Sequence, residues 1–379
     1  MSIVTSDVAI VGGGIHGCST ALHLRQRGAT VVLFEAGLCG AGASGVNFGG
    51  VRQHGRDPDE LPLAIRSRAI WAGLPALLGH DGEFAAIGHL RVATSEAHMA
   101  ELERWAKIAQ QHGLAPELIG RNAIRERYPF LSERALGGSL LAEDGQANPR
   151  LVSPLFARAA RKAGAEIREN TKVTTIARDA GGFVIETQNG PACRARVLIN
   201  AAGAWGAEVA AWFGDRLPAE AKAPAMSVTE PLPYLMRPNM GVMDGLYLRQ
   251  IPRGNVLFGS GQGVPDLINR RTRVTPELTA RAGRLLLDAV PGLKHAHIIR
   301  TWSGIEAYMP DDKPVIGFSP RAPGLIHCFG FSGHGFQLGP AAGAVVAELA
   351  LDGRTATDIS ALSPGRFMKD EPPRHQDTK

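Results

Sequence analysis

The run DVAIVGGGIHGCSTALHLRQRG, Asp7 to Gly28, restricts the fold more than any other part of the chain. A β-branched apolar stretch passes through a glycine turn into helical spacing, with Ile15, Cys18, Ala21, Leu22 and Leu24 supplying the small and apolar helix face. ATVVLFEAG then reads as a second buried strand, which completes a βαβ unit. Within the turn, Gly12, Gly14 and Gly17 have the GxGxxG spacing of a dinucleotide fingerprint. Gly12 permits the turn, Gly14 lets the backbone approach a pyrophosphate, and Gly17 lets helix and strand pack closely. Glu35 closes the second strand, where a carboxylate accepts hydrogen bonds from a ribose. A structural glycine turn is the competing reading; the order strand, helix, acid favours the dinucleotide.

Two further segments have the same character. INAAGAWG, Ile199 to Gly206, is a strand ending in small residues, suited either to a backbone pressed against a cofactor or to close packing. GFSGHGFQLGPAAG, Gly330 to Gly343, is a glycine turn leading into a helix, with Pro340 expected in the first turn. Such a helix start aims N–H groups and its dipole at negative charge. Between the second strand and the next helical pattern lies the loop Gly37 to Gly55, too long and glycine-dense to be a plain connection. A nicotinamide enzyme would continue βαβαβ here; flavoproteins break into such a loop.

Length and charge narrow the classes. A chain of 379 residues implies about two domains. Lys and Arg exceed Asp and Glu by 41 to 36 and are scattered, so nucleic-acid binding gains little support. Cys18, Cys39, Cys193 and Cys328 lack the spacing of a metal cradle, and no metal is expected. With no leader and no apolar run of membrane-spanning length, a cytoplasmic protein is expected. The charged tail 366–379 is expected to be disordered.

Taken together, these segments resemble the FAD-dependent D-amino-acid oxidase superfamily, in its sarcosine oxidase and glycine oxidase branch, over nearly the whole chain. GASGVNFGGVRQHGRDP, LYLRQIPRGNVLFGSG and SGIEAYMPDDKPVIG are most similar to the FAD-bearing small subunits of opine oxidases, with hydroxyproline dehydrogenase and hydrogen cyanide synthase subunits as near neighbours. The resemblance implies an α/β two-domain protein: a Rossmann-like FAD domain over 1–80, 140–220 and 301–365, and an antiparallel-sheet substrate domain over 81–139 and 221–300. It places FAD against Gly12, Gly14, Ile15, His16 and Gly17, and against Glu35 and Ala36. In the loop it implies Ser44, Gly45, Val46, Gly49, Gly50 and Val51, and beyond it Ala201, Gly203 and Trp205. Near the flavin it implies Gly304, Gly333, His334, Gly335, Phe336 and Gln337. Sarcosine oxidases hold flavin through a cysteine where this chain has Gly304, so FAD is expected to be non-covalent.

The implied reaction is oxidation of a C–N bond beside a carboxylate, with hydride passing to flavin N5 and the imine then hydrolysed. Glycine oxidase-like sequences place a carboxylate-binding Arg where this chain has Glu306. Tyr247 and Arg249, alternating on one strand face, are the expected replacements, with Arg52 as another candidate and His54 and His334 as further contacts or packed residues. By strand alternation Trp302, Gly304, Glu306 and Tyr308 share a face, which turns Glu306 toward the cofactor cavity. There it would pair with a cation, such as the guanidinium of an arginine-derived opine. A larger electron-transferring partner subunit is expected, since the chain has no second redox site. Glycine, sarcosine, proline or D-amino-acid oxidation, a nicotinamide dehydrogenase and a tRNA-modifying flavoprotein are the alternatives.

Overall fold

The computed structural model describes residues 4–368, which build two large sheets and a two-stranded one, Gly50–Val51 with Gly145–Gln146. In the first, Leu325–Phe329, Gly190–Asn200, Val4–Val11, Val31–Phe34 and Glu166–Arg168 run parallel side by side. Val315–Phe318 adds an antiparallel edge, and the meander Val173–Asp179 and Gly182–Thr187 joins Gly190–Asn200. Period-two alternation divides the central strands between two cores. Val8, Ile10, Val31 and Leu33 pack under the helices Ile15–Gln26, Pro149–Lys162 and Gly335–Asp352. Ala9, Val11, Val32 and Phe34 meet Phe183 and Ile185 on the opposite face. Burial on both faces explains why these strands read as unbroken apolar runs.

The second sheet has ten strands and is mostly antiparallel. Its centre is Glu220–Pro231, Asn255–Asp266 and Leu246–Gln250; Asn239–Val242 then lies parallel to His89–Ala93, followed by Gly137–Leu141 and Glu117–Ile119. The helix Pro276–Ala289 starts at a Thr275 cap, whose hydroxyl accepts from Leu278 N at 3.3 Å. Its Ala282 and Leu286 share a core with Leu248, Val256 and Phe258. Leu246 and Leu248 therefore face this helix, and Tyr247 and Arg249 face the other way.

Three details differ from the sequence reading. The stretch Thr301 to Tyr308 is not one strand: Ile298–Ser303 and Glu306–Tyr308 pair separately with Glu220–Pro231, and the chain breaks at Gly304 and Ile305. Alternation carried across that break has no strand beneath it, although Glu306 and Tyr308 still share a face.

The last helix begins at Gly335, so Pro340 lies inside it rather than in its first turn. Side chains take up the disturbance: Ser67 Oγ and Trp71 Nε1 both donate to Gln337 O, at 2.5 and 2.8 Å, and Ser19 Oγ donates to Pro340 O at 3.1 Å. Finally, Arg366 is ordered within the 3-10 turn Pro364–Phe367 and binds Asp311 with two nitrogens, at 2.8 and 3.3 Å. The remainder of the expected tail, 369–379, lies outside the described residues.

Candidate active site

The site begins at the carboxyl ends of the parallel strands. Gly12 has φ +108°, and a Cβ there would overlap Ala201 O; a Cβ at Gly17 would overlap Gly12 O. Strand, helix and the Ala201 segment thus meet at a distance only glycine allows. The Glu35 carboxylate spans the turn and the loop, accepting from Gly13 N and Gly37 N at 2.7 Å each. Gly14 is the N-cap of the first helix without a capping side chain of its own; Ser44 Oγ instead accepts from Ile15 N at 3.0 Å. Ala36 is half-buried beside Glu35. Ala201 is buried at the end of its strand, and Gly203, with φ +56°, and Trp205 follow in a 3-10 turn.

The glycine loop connects this turn to the second sheet. Ala43–Val46 forms a short helix in which Gly45 packs on Gly40 O, and Val46 O accepts from Trp302 Nε1 at 2.7 Å. Gly304 leaves room for Val46, whose Cγ2 a Cβ there would overlap. Gly50 and Val51 pair with Gln146 and Gly145. Gly49, at φ +79°, allows Arg249 to approach: a Cβ would lie 2.6 Å from Arg249 Nη2.

The last helix opens toward the same region. Gly333 has φ +82°, His334 is the N-cap, and no side chain caps the first turn. Backbone N–H groups of Gly335, Phe336 and Gln337 therefore carry the positive end of the dipole. The side chains expected to contact a cofactor do not face it. Phe336 packs on Trp71 with ring centroids 5.0 Å apart, and Gln337 Nε2 donates to Ala64 O at 2.9 Å. Their backbones remain available, as does Gln337 Oε1, which has no partner among the described residues. His16 stacks on Phe331 at 3.8 Å, and burial pulls its pKa down to about 3, so it is neutral. Burial and the nearby Arg56 also hold His334 neutral, at about 4. Its Nδ1 faces both Glu60 oxygens, at 3.0 and 2.9 Å, which fixes the proton there and leaves Nε2 with a lone pair.

Arg249 is 4% exposed. Nη1 donates to Gln146 Oε1 at 3.0 Å and Ala147 O at 3.3 Å, Nε has no partner, and no carboxylate pairs with it among the described residues. Burial lowers its pKa to about 9, which still leaves it charged at neutral pH. A buried cation that feels the charge of Glu83 but has no carboxylate at ion-pair distance is a strong receptor for an anion. Phe48 fills the space between the two strand neighbours: its ring lies 5.2 Å from the guanidinium and 5.1 Å from the Tyr247 ring. Tyr247 differs from expectation in one respect. Its hydroxyl donates to Ala225 O at 2.7 Å, so its single proton is not free for a ligand carboxylate.

Glu306 is half-buried, beside Gly333 and within electrostatic reach of Tyr247 and Tyr308. Burial raises its carboxyl to about 7, against a hydrogen bond from the Gly333 backbone. Tyr247 and Tyr308 feel its charge, and burial with that charge raises both phenols. Glu306 thus joins the hairpin to the glycine turn. Arg52 and His54 lie in a largely buried cluster with Arg56, His89 and Asp144, whose guanidiniums also act on Glu60 and His334. Arg52 Nη1 donates to His54 O at 2.6 Å, and His54 Nδ1 donates to His89 O at 3.2 Å. Burial and neighbouring guanidiniums keep Arg52 near 9 and bring His54 to about 3. Gln146, Glu60, Phe48 and Arg270 escaped the sequence reading, because their partners are distant in the chain.

The arrangement suits a flavin dinucleotide. Close-packed glycines form the turn, one helix N-terminus lies beside Ser44, and a second, uncapped one lies beside Gly333. Comparison with known proteins agrees. The family model "DAO: FAD dependent oxidoreductase" matches residues 7–349. The glycine oxidase of Geobacillus kaustophilus is 31% identical over 96% of this chain and 97% of its own length, and the sarcosine oxidase subunit beta of Rhizobium meliloti is 30% identical over 96% and 88%. Among solved structures, L-proline dehydrogenase from P. horikoshii superposes with a TM-score of 0.91 at 27% identity, covering 98% of this chain and 100% of that one. The chain belongs to the DAO family of FAD-dependent oxidoreductases.

Proposed function

We propose that the protein oxidises the C–N bond of an amine that carries a carboxylate on the adjacent carbon, and that Arg249 receives that carboxylate. The observation behind this reading is the buried Arg249 guanidinium with no acidic partner among the described residues. Glycine, sarcosine and proline, named for the relatives above, all present an amine one carbon from a carboxylate. Bound FAD supplies a two-electron acceptor for the hydride leaving that carbon. Gly12, Gly14, Gly17, Glu35 and Ser44 would hold its dinucleotide half, and the N–H groups from Gly335 to Gln337 its flavin end. Arg249 and Phe48 then orient the substrate, the contribution that matters most for a reaction needing little acid–base help. The amine loses a hydride and a proton; water adds to the imine to give a carbonyl compound and the released amine.

Within this class we favour a secondary amine of the opine type with a basic arm. Glu306 supports it: once ionised, an acid at this place repels a carboxylate and pairs with a cation. A larger electron-accepting subunit fits the resemblance to a protein that is itself one subunit of an oxidase.

Anaerobic bleaching of the purified yellow enzyme by octopine, nopaline, glycine, sarcosine and proline tests the substrate. Arg249→Gln should weaken every carboxylate-bearing substrate by about thirtyfold or more, the loss of a charge-assisted bond, with Arg249→Lys recovering part. Equal affinities in wild type and Arg249→Gln would refute the anchor.

A further inference from the structure

Arg270 lies outside the substrate cleft and has a different neighbour. Asn255–Asp266 and Arg271–Arg273 form a hairpin of the second sheet, with Val264 opposite Arg273 and Asp266 opposite Arg271. Its tip reaches across to the first sheet. Trp205 Nε1 donates to Leu267 O at 3.3 Å, and the Arg270 guanidinium lies 5.8 Å from the Trp205 ring centre. Arg270 Nη2 is 3.7 Å from Glu35 Oε1, and Gly37 allows the approach, since a Cβ there would lie 3.3 Å from that nitrogen.

The tip is not held by burying its own apolar residues: Ile268 is 93% exposed. Asp266 shapes it internally, accepting from Asn269 N at 3.0 Å and Asn269 Nδ2 at 2.8 Å. Arg270 itself sits at φ +55°, a conformation that costs a residue with a Cβ. A strained arginine at a solvent-exposed crest is held where its charge meets Glu35 and its plane meets Trp205.

We infer that the segment from Leu267 to Arg270 is a strap across the adenosine end of the FAD site, and that Arg270 is a cofactor-retaining residue. The inference rests on the reading that Glu35 marks the ribose end of the groove. A dinucleotide seated along the glycine turn with its ribose at Glu35 has this strap at that end. Leaving requires Arg270 to part from Glu35 and the tip to lift from Trp205. The Arg270 side chain is 47% exposed and that of Glu35 15%, so the pair is salt-sensitive and the strap opens more readily at high ionic strength.

The test is FAD release from the holoenzyme, followed as the rise in flavin fluorescence after dilution into buffers of low and high salt. Arg270→Ala should speed release about fivefold at low salt and abolish most of the salt dependence. Arg270→Lys should fall between the two, and Ile268→Ser should match wild type. Release from Arg270→Ala at the wild-type rate, or an equal salt response in both, overturns the strap. Glu35→Gln separates the two readings. If it speeds release while Arg270→Ala does not, the strap fails and the placement of the ribose stands; if neither changes release, both fail.

Discussion

Glu306 is the residue whose charge state is most open to its surroundings. Its carboxyl ionises near pH 4.5 in an unfolded chain and near 7 in the folded one, because burial disfavours the anion. The sign follows from proton binding. Between those values the folded state holds a proton that the unfolded state has lost, so wild type is penalised increasingly as pH rises from about 4.5 to about 7. Above that the penalty is complete. Glu306→Gln does not titrate, so it should equal or trail wild type at pH 4.5 and exceed it at pH 8, by on the order of 2 kcal/mol after allowing for solvent in the cleft. Thermal midpoints of both proteins without substrate across that range provide the check; parallel curves would show that Glu306 is not desolvated. A basic substrate arm adds a second expectation. Its kcat/KM should rise as pH increases through about 7, where the anion forms, and the preference should vanish in Glu306→Gln. At this scale the sequence was legible where backbone geometry restricts residue choice, as at Gly12 and Gly17. It was silent on Glu60 with His334 and on Arg249 with Gln146, because each pair joins positions about a hundred or more residues apart.

The helix Gly335–Asp352 shows how an element can be recognised and still misplaced. Small residues, a glycine turn and a proline announce a helix start, and local rules put Pro340 in the first turn. The structure begins the helix at Gly335, with the helices Leu61–Ala72 and Ile15–Gln26 supplying side-chain donors to carbonyls beside the proline. Ser67 Oγ and Trp71 Nε1 bind Gln337 O, and Ala341 N turns toward Ser67 Oγ at 3.4 Å. The proline and the serine should therefore be energetically coupled. Ser67→Ala should cost about 1 kcal/mol alone, and less in a Pro340→Ala background where the helix can close its own bonds. Thermal unfolding of the two single variants and the double variant gives the coupling directly; additive effects would mean that the helix start is set elsewhere. The central strands, by contrast, were readable from their apolar runs alone, since burial on both faces leaves no polar alternation to misread.

At the scale of the molecule, the two sheets meet through the packing of Leu61 with Trp105 and Leu141, and also through contacts made by the glycine loop and the dinucleotide turn. Trp302 donates to Val46 O, Arg249 to Gln146 and Ala147 O, and Arg270 approaches Glu35; Phe48 lies against Tyr247. Each contact joins the glycine loop, its pairing strand or the dinucleotide turn to the second sheet. None of this was visible in sequence, where the strands of the first sheet are merely interrupted by those of the second. A ligand filling the groove therefore stabilises both sheets and not only the one with the glycine turn. Linkage sets the size: free FAD at a hundred times its dissociation constant adds about 2.7 kcal/mol to the folded state. Removing FAD should then lower amide protection in Val4–Val11 and in Leu246–Gln250 together, read by hydrogen exchange on loaded and stripped enzyme. If stripping FAD deprotects only Val4–Val11, the second sheet folds without reference to the cofactor, and the contacts across the groove are consequences of docking rather than its cause.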